Sequence, residues 1–262
     1  MLRIEFLTQE DPLYILPFFE EFLRQKTDIW SVQSISCCRT MGNRSRSKLL
    51  RELAQLYGTF GLSRLLARTA VSKVLGTLPR GSGKQRYFSL PQLCQAQGIP
   101  YASIGNPNAE EVLAGIRQRG CDLIVSVACP FILKPALLQL PPLGCINIHH
   151  APLPRYKGMM PTFWQMYHGE RTVGLTIHSM TEKIDEGEAL LREQLTIEAG
   201  ETLDHLIRRS KRHAASCLAQ VLQSIASGPV TGEPLNREEG SYFTFPTFAE
   251  IREFQRRGLR AI

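Results

Sequence analysis

An amide and an imidazole stand two positions apart where a short apolar stretch ends. In "CINIHHAPLPRYKG", Asn147 and His149 belong to the end of a predicted buried strand. Residues two apart on a strand point to the same face, so both side chains are expected to face one cleft. The amide offers N–H donors to an oxyanion that develops on a carbonyl, and the imidazole can handle a proton beside it. Asp185, in the Asp-Glu-Gly turn of "KIDEGEAL", supplies a carboxylate that could orient His149, raise its pKa and accept a proton.

Each of these signals also has a purely structural interpretation. An Asn-x-His pair at a strand end often only completes hydrogen bonds, His150 and His178 fit the same ordinary role, and Asp-Glu-Gly is a common turn sequence. The spacing of His149, His150 and Asp185 matches no familiar metal motif, so the sequence predicts no metal site. The residues by themselves leave catalytic and structural roles open.

Apolar periodicity predicts the elements that must position these side chains. Strands are predicted over 2–7, 30–37, 99–105, 121–129, 143–150, 172–180 and 188–197. Helices are predicted over 12–25, over 108–119 with a capping box at Asn108 and Glu111, from Lys134, and over 202–224; a short aromatic strand and a helix follow within 240–258. This alternation predicts an α/β fold with a Rossmann-like, mostly parallel open sheet, in which ligands bind beyond the carboxyl ends of the strands.

Positive charge is concentrated in one segment of the chain. The net charge is +7, and from Arg39 to Arg86 there are eleven Lys or Arg and one acid, Glu52. Helical spacing of leucines predicts two amphipathic helices here, separated by Gly58 and Gly61, as a basic insertion at about 40–90. A flexible loop is predicted to close the insertion, over 78–86. The block suits a polyanionic partner, either an anionic membrane surface or nucleic acid, and a solvated face of two helices would explain the same charges.

Composition favours a cytoplasmic globular protein. Of 262 residues, 43% are apolar and 21% are charged, and no apolar stretch reaches the ~18 residues of a membrane span. The acidic residues of the first segment do not fit a signal peptide. The seven cysteines are scattered without Cys-x-x-Cys spacing, which is typical of reduced, buried thiols. With neither a G-x-G-x-x-G motif nor a P-loop, nothing calls for NAD or ATP.

The combination of "NIHHAPLPRYKG" with the Asp185 of "IDEGEALL", 38 residues after Asn147, resembles the 10-formyltetrahydrofolate-dependent formyltransferases. Their pattern is Asn-x-His, a Ser-Leu-Leu-Pro-like loop, and Asp-x-Gly. The positions that match are Asn147, His149, Leu153, Pro154, Gly158, Asp185 and Gly187. Ala151 replaces the usual Ser and Pro152 the usual Leu, which puts substrate placement in doubt. The resemblance covers about 94–225 and implies a catalytic domain of the formyltransferase type at 1–225, followed by a short C-terminal extension at 226–262.

The resemblance also implies residue roles. An amine attacks the formyl group of the co-substrate 10-formyltetrahydrofolate, Asn147 and a protonated His149 stabilise the oxyanion, and Asp185 holds His149 and relays a proton. The positions expected to bind the folate, largely through backbone groups, are Cys129, Phe131, Ile132, Leu133, Met180, Glu182 and Ile184. The positions expected to meet an anionic substrate are Arg155, Tyr156 and Lys157.

The resemblance leaves the acceptor amine open. The segment after 224 is too short for the C-terminal domain of methionyl-tRNA formyltransferases, and "LTQEDPLY" lacks the glycines of the glycinamide ribonucleotide enzymes. "PLPRYKGMMPTFW" and "YFTFPT" look like segments of enzymes that formylate nucleotide-linked amino sugars, so a nucleotide-linked or lipid-linked amino sugar is the preferred acceptor. The two other formyltransferases, a formyltetrahydrofolate hydrolase and a non-catalytic folate- or polyanion-binding protein stay as alternatives. The aromatic tail strand suggests a homodimer.

Overall fold

The computed structural model describes residues 1–25, 27–39, 46–78 and 86–262. Within these ranges the strands are β1 (Leu2–Gln9), β2 (Trp30–Cys38), β3 (Tyr101–Ile104), β4 (Leu123–Val127), β5 (Cys145–His149), β6 (Lys157–Gly158), β7 (Thr172–Ser179), β8 (Ala189–Thr196) and β9 (Tyr242–Phe243). The α-helices are α1 (Ile15–Arg24), α2 (Arg46–Leu75), α3 (Leu90–Gln97), α4 (Glu110–Arg119), α5 (Pro135–Leu138), α6 (Pro161–Tyr167), α7 (Leu203–Ser227) and α8 (Phe248–Arg256). No helix in the described part of the chain is long and apolar enough to cross a membrane.

One seven-stranded sheet has the order β3-β2-β1-β4-β5-β7-β8. The first five strands in this order are parallel, and β7 and β8 are antiparallel to their neighbours. The predicted α/β fold with a mostly parallel sheet is therefore confirmed. Strand β5 lies between the parallel part and the antiparallel pair, and its carboxyl end carries the Asn-x-His pair.

The main core lies between the sheet and helices α1 and α7. Phe6 of β1 makes edge-on contacts with Phe19 and Phe22 of α1, with ring centroids 5.1 and 5.2 Å apart. All three side chains are at most 1% exposed. Burying such aromatic rings against a strand with apolar side chains on both faces fixes α1 on the sheet, and with it the loop that follows β1.

The basic insertion packs onto the domain through a second core. Helix α2 is broken at Gly58, whose backbone (φ 67°, ψ 174°) is not helical, so the prediction of two helices is confirmed at that residue. Gly61 instead lies within the second helix, where a Cβ would come within 2.8 Å of the side chain of Ile262. Leu56 and Leu65 are buried in this second core. The loop predicted over 78–86 falls mostly outside the described residues.

The start of α4 differs from its prediction. The helix begins at Glu110 after Ala109, without a side-chain cap, so the capping box expected at Asn108 and Glu111 is wrong. The side chain of Asn108 instead joins two loops: its Nδ2 donates to Ile132 O (3.0 Å) and its Oδ1 accepts from Lys134 N (2.7 Å). These bonds fix the loop after β4, in place of capping the helix.

The C-terminal segment closes over the loop that follows β5. Strand β9 pairs in parallel with β6 of the same chain, and α8 buries Ile251 and Phe254 in the second core. At the start of α7, Leu203 N donates to Arg260 O and Asp204 N to Ala261 O, both over 2.9 Å. The aromatic strand that suggested a homodimer therefore pairs within the chain, and the proposed boundary at 225 falls inside α7.

Candidate active site

Asn147 is positioned by its neighbour across the sheet. It pairs with His178 of β7 in the strand register, and its Nδ2–H donates to His178 Nε2 over 3.2 Å. His178 Nδ1 in turn donates to Ser179 O over 2.8 Å, which leaves Nε2 as the acceptor in the neutral ring. The second N–H of the half-buried Asn147 makes no hydrogen bond among the described residues and is left for a ligand.

The side chain of His149 is held by the loop that follows β5. Its Nε2–H donates to Tyr156 O over 2.9 Å, and its Nδ1 lies 3.7 Å from Asp185 Oδ2. Burial lowers the pKa of His149, and the charge of Asp185 and the bond to Tyr156 oppose this without reversing it. The net direction is therefore the opposite of the rise expected from Asp185 alone. His149 is a neutral imidazole at neutral pH, with its lone pair on Nδ1.

Asp185 lies between the two imidazoles. Its Oδ1 is 3.6 Å from His178 Nε2, and its Oδ2 is 3.5 Å from the backbone N of Gly158. Burial by itself would raise the pKa of Asp185, but the neighbouring imidazoles of His178 and His149 and the backbone N–H of Gly158 outweigh it, so the pKa lies below its ordinary value. The site thus places an ionised carboxylate beside the neutral ring of His149.

The turn that carries Asp185 requires a glycine two positions later. Asp185 itself adopts a left-handed backbone (φ 51°). A Cβ on Gly187 would lie 1.6 Å from Ser179 O, which no side chain can accommodate. The backbone bond from Ser179 N to Glu188 O, together with the bond from Glu188 N to Ser179 Oγ, closes the turn onto β7. The Asp-x-Gly spacing therefore follows from close backbone approach at this site.

The three residues expected to contact an anionic substrate lie in different surroundings. Tyr156 is 6% exposed, and its hydroxyl donates to Glu170 (2.9 Å), so its ring is packed inside the protein. Arg155 is the exposed member, with an ion pair to Glu170 (3.2 Å). Lys157 Nζ lies 3.5 Å from Glu186 and is mostly buried. Tyr156 acts on the site through its carbonyl, because this group fixes the ring of His149.

The positions expected to bind the folate belong to two loops of mixed exposure. Leu133 is buried in a core cluster, with the partly buried Cys129 and Met180 packed against it. Ile132 (61%) and Ile184 (50%) are unusually exposed for large apolar side chains. The remaining positions, Phe131 and Glu182, are half-buried and exposed, respectively. Both loops therefore present an exposed large apolar side chain.

Two buried polar residues lie near the site. The sequence patterns gave His150 only an ordinary hydrogen-bonding role and did not indicate Lys211. A hydrogen bond joins His150 Nδ1 to Ser210 Oγ (2.8 Å). The buried Nε2 of His150 has no partner among the described residues. Lys211 of α7 is 8% exposed, and burial lowers its pKa to about 8, with Asp11 opposing this. The signal was available, because Lys211 follows Leu203 and precedes Ala214 and Leu218 at core-facing helical spacing.

No group of three or more His, Cys, Asp or Glu side chains suited to a metal ion occurs in the described ranges. The site instead combines an amide donor, a neutral imidazole and a carboxylate at the carboxyl end of β5 in an open α/β sheet. Groups of this kind can donate to an oxyanion that develops on a carbonyl and can accept a proton beside it.

The chain belongs to the formyl transferase family, whose model matches residues 79–222, more than half of its length. It is 36% identical over 180 residues to a methionyl-tRNA formyltransferase of Synechococcus sp. strain JA-3-3Ab, covering 68% of this chain and 55% of the relative. It is 32% identical over 165 residues to the methionyl-tRNA formyltransferase of Clostridioides difficile, covering 63% and 53%. The chain therefore spans about half the length of the curated relatives it matches.

Solved structures share the fold. A glycinamide ribonucleotide transformylase 1 from Symbiobacterium toebii superposes with a TM-score of 0.60 at 16% identity, covering 90% of this chain and 93% of that one. A sugar N-formyltransferase from a Shewanella species gives a TM-score of 0.51 at 18% identity, covering 93% and 77%. The family resemblance and the fold predicted from the sequence are both confirmed.

Proposed function

We propose that this chain transfers a formyl group from 10-formyltetrahydrofolate to a primary amine, with Asn147, His149 and Asp185 as its catalytic residues. The observation that carries the proposal is that Asn147 and His149, at the end of β5, each have one hydrogen-bonding group held by the protein and one available for the reaction. Asn147 has one N–H fixed on His178 and one left for an oxyanion, while His149 has its protonated nitrogen fixed on Tyr156 and its lone pair toward Asp185. Membership of the formyl transferase family supports the same chemistry.

The geometry suggests an order of proton transfers. The neutral amine attacks the formyl carbon, and the carbonyl electrons move to oxygen, where Asn147 donates its second N–H. The attacking nitrogen is then an ammonium, whose proton passes to neutral His149, directly or through Asp185. The imidazolium beside the carboxylate then gives this proton to N10 of the folate as the carbon–nitrogen bond breaks. The lowered pKa of His149 supports a neutral starting state in place of the protonated one that the resemblance implies.

The folate is proposed to lie against the loops Cys129–Leu133 and Met180–Ile184. The exposed side chains of Ile132 and Ile184 offer apolar surface for a pterin ring. Asn108 binds the carbonyl of Ile132 and the amide of Lys134, so the backbone of the first loop is already fixed. A fixed backbone supports recognition through main-chain groups with little ordering on binding.

The preferred acceptor is a nucleotide-linked or lipid-linked amino sugar. The exposed Arg155 supports an anionic substrate at the mouth of the site. A second candidate, an aminoacyl-tRNA, is favoured by the curated relatives, which are methionyl-tRNA formyltransferases, and by the basic segment 39–86 as a nucleic-acid surface. A cytoplasmic location is also proposed, and the seven free cysteines support it. A homodimer is the proposed assembly.

The test follows tetrahydrofolate release from 10-formyltetrahydrofolate with a panel of amines: nucleotide-linked 4-amino sugars, glycinamide ribonucleotide and charged initiator tRNA. Release with one amine, lost in Asn147→Ala, establishes the reaction and its acceptor. Release without any amine identifies a hydrolase. No release despite folate binding favours the non-catalytic alternative, and the absence of folate binding would overturn the proposed function.

A further inference from the structure

The outward side of the basic insertion carries a line of exposed apolar residues, interrupted after Phe60 by the exposed Ser63 and Arg64. We call this line the apolar stripe; it consists of Phe60, Ala67, Val71, Val74 and Leu78. Phe60 is 78%, Val74 66%, Leu78 53% and Val71 49% exposed. The spacing of 7, 4, 3 and 4 residues keeps them on one side of α2 and the turn after it. At about 1.5 Å per residue the stripe is about 27 Å long.

The opposite side of the same helix is already packed on the protein. Leu65 is 7% exposed in the second core, and Gly61 contacts the side chain of Ile262. Arg68 is tied to the buried carboxylate of Asp204 (3.3 Å). A surface helix normally turns one apolar side inward and a polar side to water. This helix is apolar on both sides, so the apolar stripe requires a partner of its own.

The charges beside the stripe indicate what kind of partner fits. Arg64 and Lys73 are exposed on the same helix, and Arg64 lies between Phe60 and Ala67, four residues after the first and three before the second. In the sequence from 53 to 86 there are six basic residues and no acidic one. A second copy packed on the same surface would bring these positive charges together without an acid to pair them. RNA would need a row of cations along the surface, whereas this side of the helix is mostly apolar.

We infer that α2 docks onto an anionic phospholipid surface, with the apolar stripe at the acyl boundary and Arg64 and Lys73 among the headgroups. Exposed apolar residues with cations nearby and no acid are typical of helices that lie in the membrane interface. Leu65 of the same helix shares a core cluster with Ala151 and Tyr156, next to His149. Docking would therefore bring the catalytic edge of the sheet near the lipid surface. The inference does not depend on formyl transfer.

The experiment is vesicle flotation with the whole protein. Vesicles of phosphatidylcholine alone are compared with vesicles that also contain phosphatidylglycerol. Binding is expected only to the anionic vesicles and is expected to weaken as salt is raised. The double variants Phe60→Ser with Val74→Ser, and Arg64→Glu with Lys73→Glu, are each expected to lower binding about tenfold or more. Leu143→Ser is the matched control. Leu143 is 51% exposed and precedes β5, at the end of that strand opposite to His149.

Unchanged thermal unfolding of all variants shows that the exposed substitutions leave the fold intact. Failure of the unmodified protein to bind anionic vesicles would overturn the inference, as would equal binding by the double variants. Equal binding to neutral and anionic vesicles would also overturn it. If the first double variant changes the oligomeric state in sedimentation and leaves vesicle binding unaltered, the stripe is a contact between copies, and the membrane inference fails.

Discussion

Replacing Asp185 by asparagine tests the central electrostatic contact of the proposed mechanism. The substitution is nearly isosteric, and asparagine tolerates the left-handed backbone that Asp185 adopts (φ 51°). It removes the negative charge that lies 3.7 Å from His149 Nδ1 and 3.6 Å from His178 Nε2. The fold is expected to survive, because the turn is closed by the bonds from Ser179 N to Glu188 O and from Glu188 N to Ser179 Oγ, which do not involve Asp185.

The magnitude follows from the geometry. His149 starts neutral and becomes a cation only after it accepts the proton of the attacking amine. Opposite charges about 4 Å apart attract by about 4 kcal/mol at an effective dielectric constant near 20. This stabilisation is present in the charged intermediate and absent from the ground state, so its loss is expected to lower kcat about 10³-fold. Folate affinity is expected to change little, since the proposed folate loops do not include the carboxylate.

The assay measures tetrahydrofolate release under saturating 10-formyltetrahydrofolate and amine, with folate binding and thermal unfolding followed in parallel. Glu188→Gln is the matched control, because it removes an exposed carboxylate from the same turn. A folded Asp185→Asn protein that keeps more than about one-tenth of the kcat would refute the pairing of this carboxylate with a charged His149.

Three further predictions concern stability and packing. Gly187→Ala would place a methyl group 1.6 Å from Ser179 O, so urea unfolding should show a loss of about 3 kcal/mol and activity should fall with the displaced turn. Burial holds the pKa of His150 well below 6.5, so the unfolded chain takes up a proton that the folded one refuses, and stability falls as the pH drops below 6.5. Urea unfolding at about pH 7 and pH 5 should show this loss reduced by about 2 kcal/mol in His150→Asn. Burial lowers the pKa of Lys211 from 10.5 to about 8, so Lys211→Met should stabilise the protein at neutral pH. The gain should be about 3 kcal/mol at neutral pH. It should shrink as the pH rises from about 8 to about 10.5, because over this range Lys211 loses its charge in the folded protein before it does so in the unfolded chain.

The sequence was sufficient for features that depend on local spacing. Strand alternation places Asn147 and His149 on one face, and the close approach at Gly187 fixes the Asp-x-Gly turn. Helix α3 was missed although its signals were present: Ser89 caps it and Gly98 ends it. Helix α6 had weaker signals. It follows Met160 without a side-chain cap, and its residues are buried on several sides, so no amphipathic period marks it.

The role of Tyr156 could not be predicted from spacing, because its partners are distant in the chain. The sequence around it suggested a surface loop with an aromatic ring for the substrate. In the structure the ring stacks on Phe243 at 5.5 Å, and the hydroxyl donates to Glu170. Both contacts depend on where the C-terminal segment and α6 come to lie. Tertiary packing therefore buries the ring of Tyr156 and leaves its carbonyl to hold the ring of His149.

This support extends the site beyond the region that matches the family. The match ends at residue 222, but Ser241 accepts a hydrogen bond from the backbone N of Tyr156 (2.9 Å), and its carbonyl accepts one from Lys157 N (2.8 Å). The carbonyl of Tyr156 is the group that binds His149 Nε2 and so leaves the lone pair on Nδ1. The segment after α7 thus helps to set the tautomer of the proposed proton carrier. We expect that loosening β9 would free the carbonyl on which that tautomer depends.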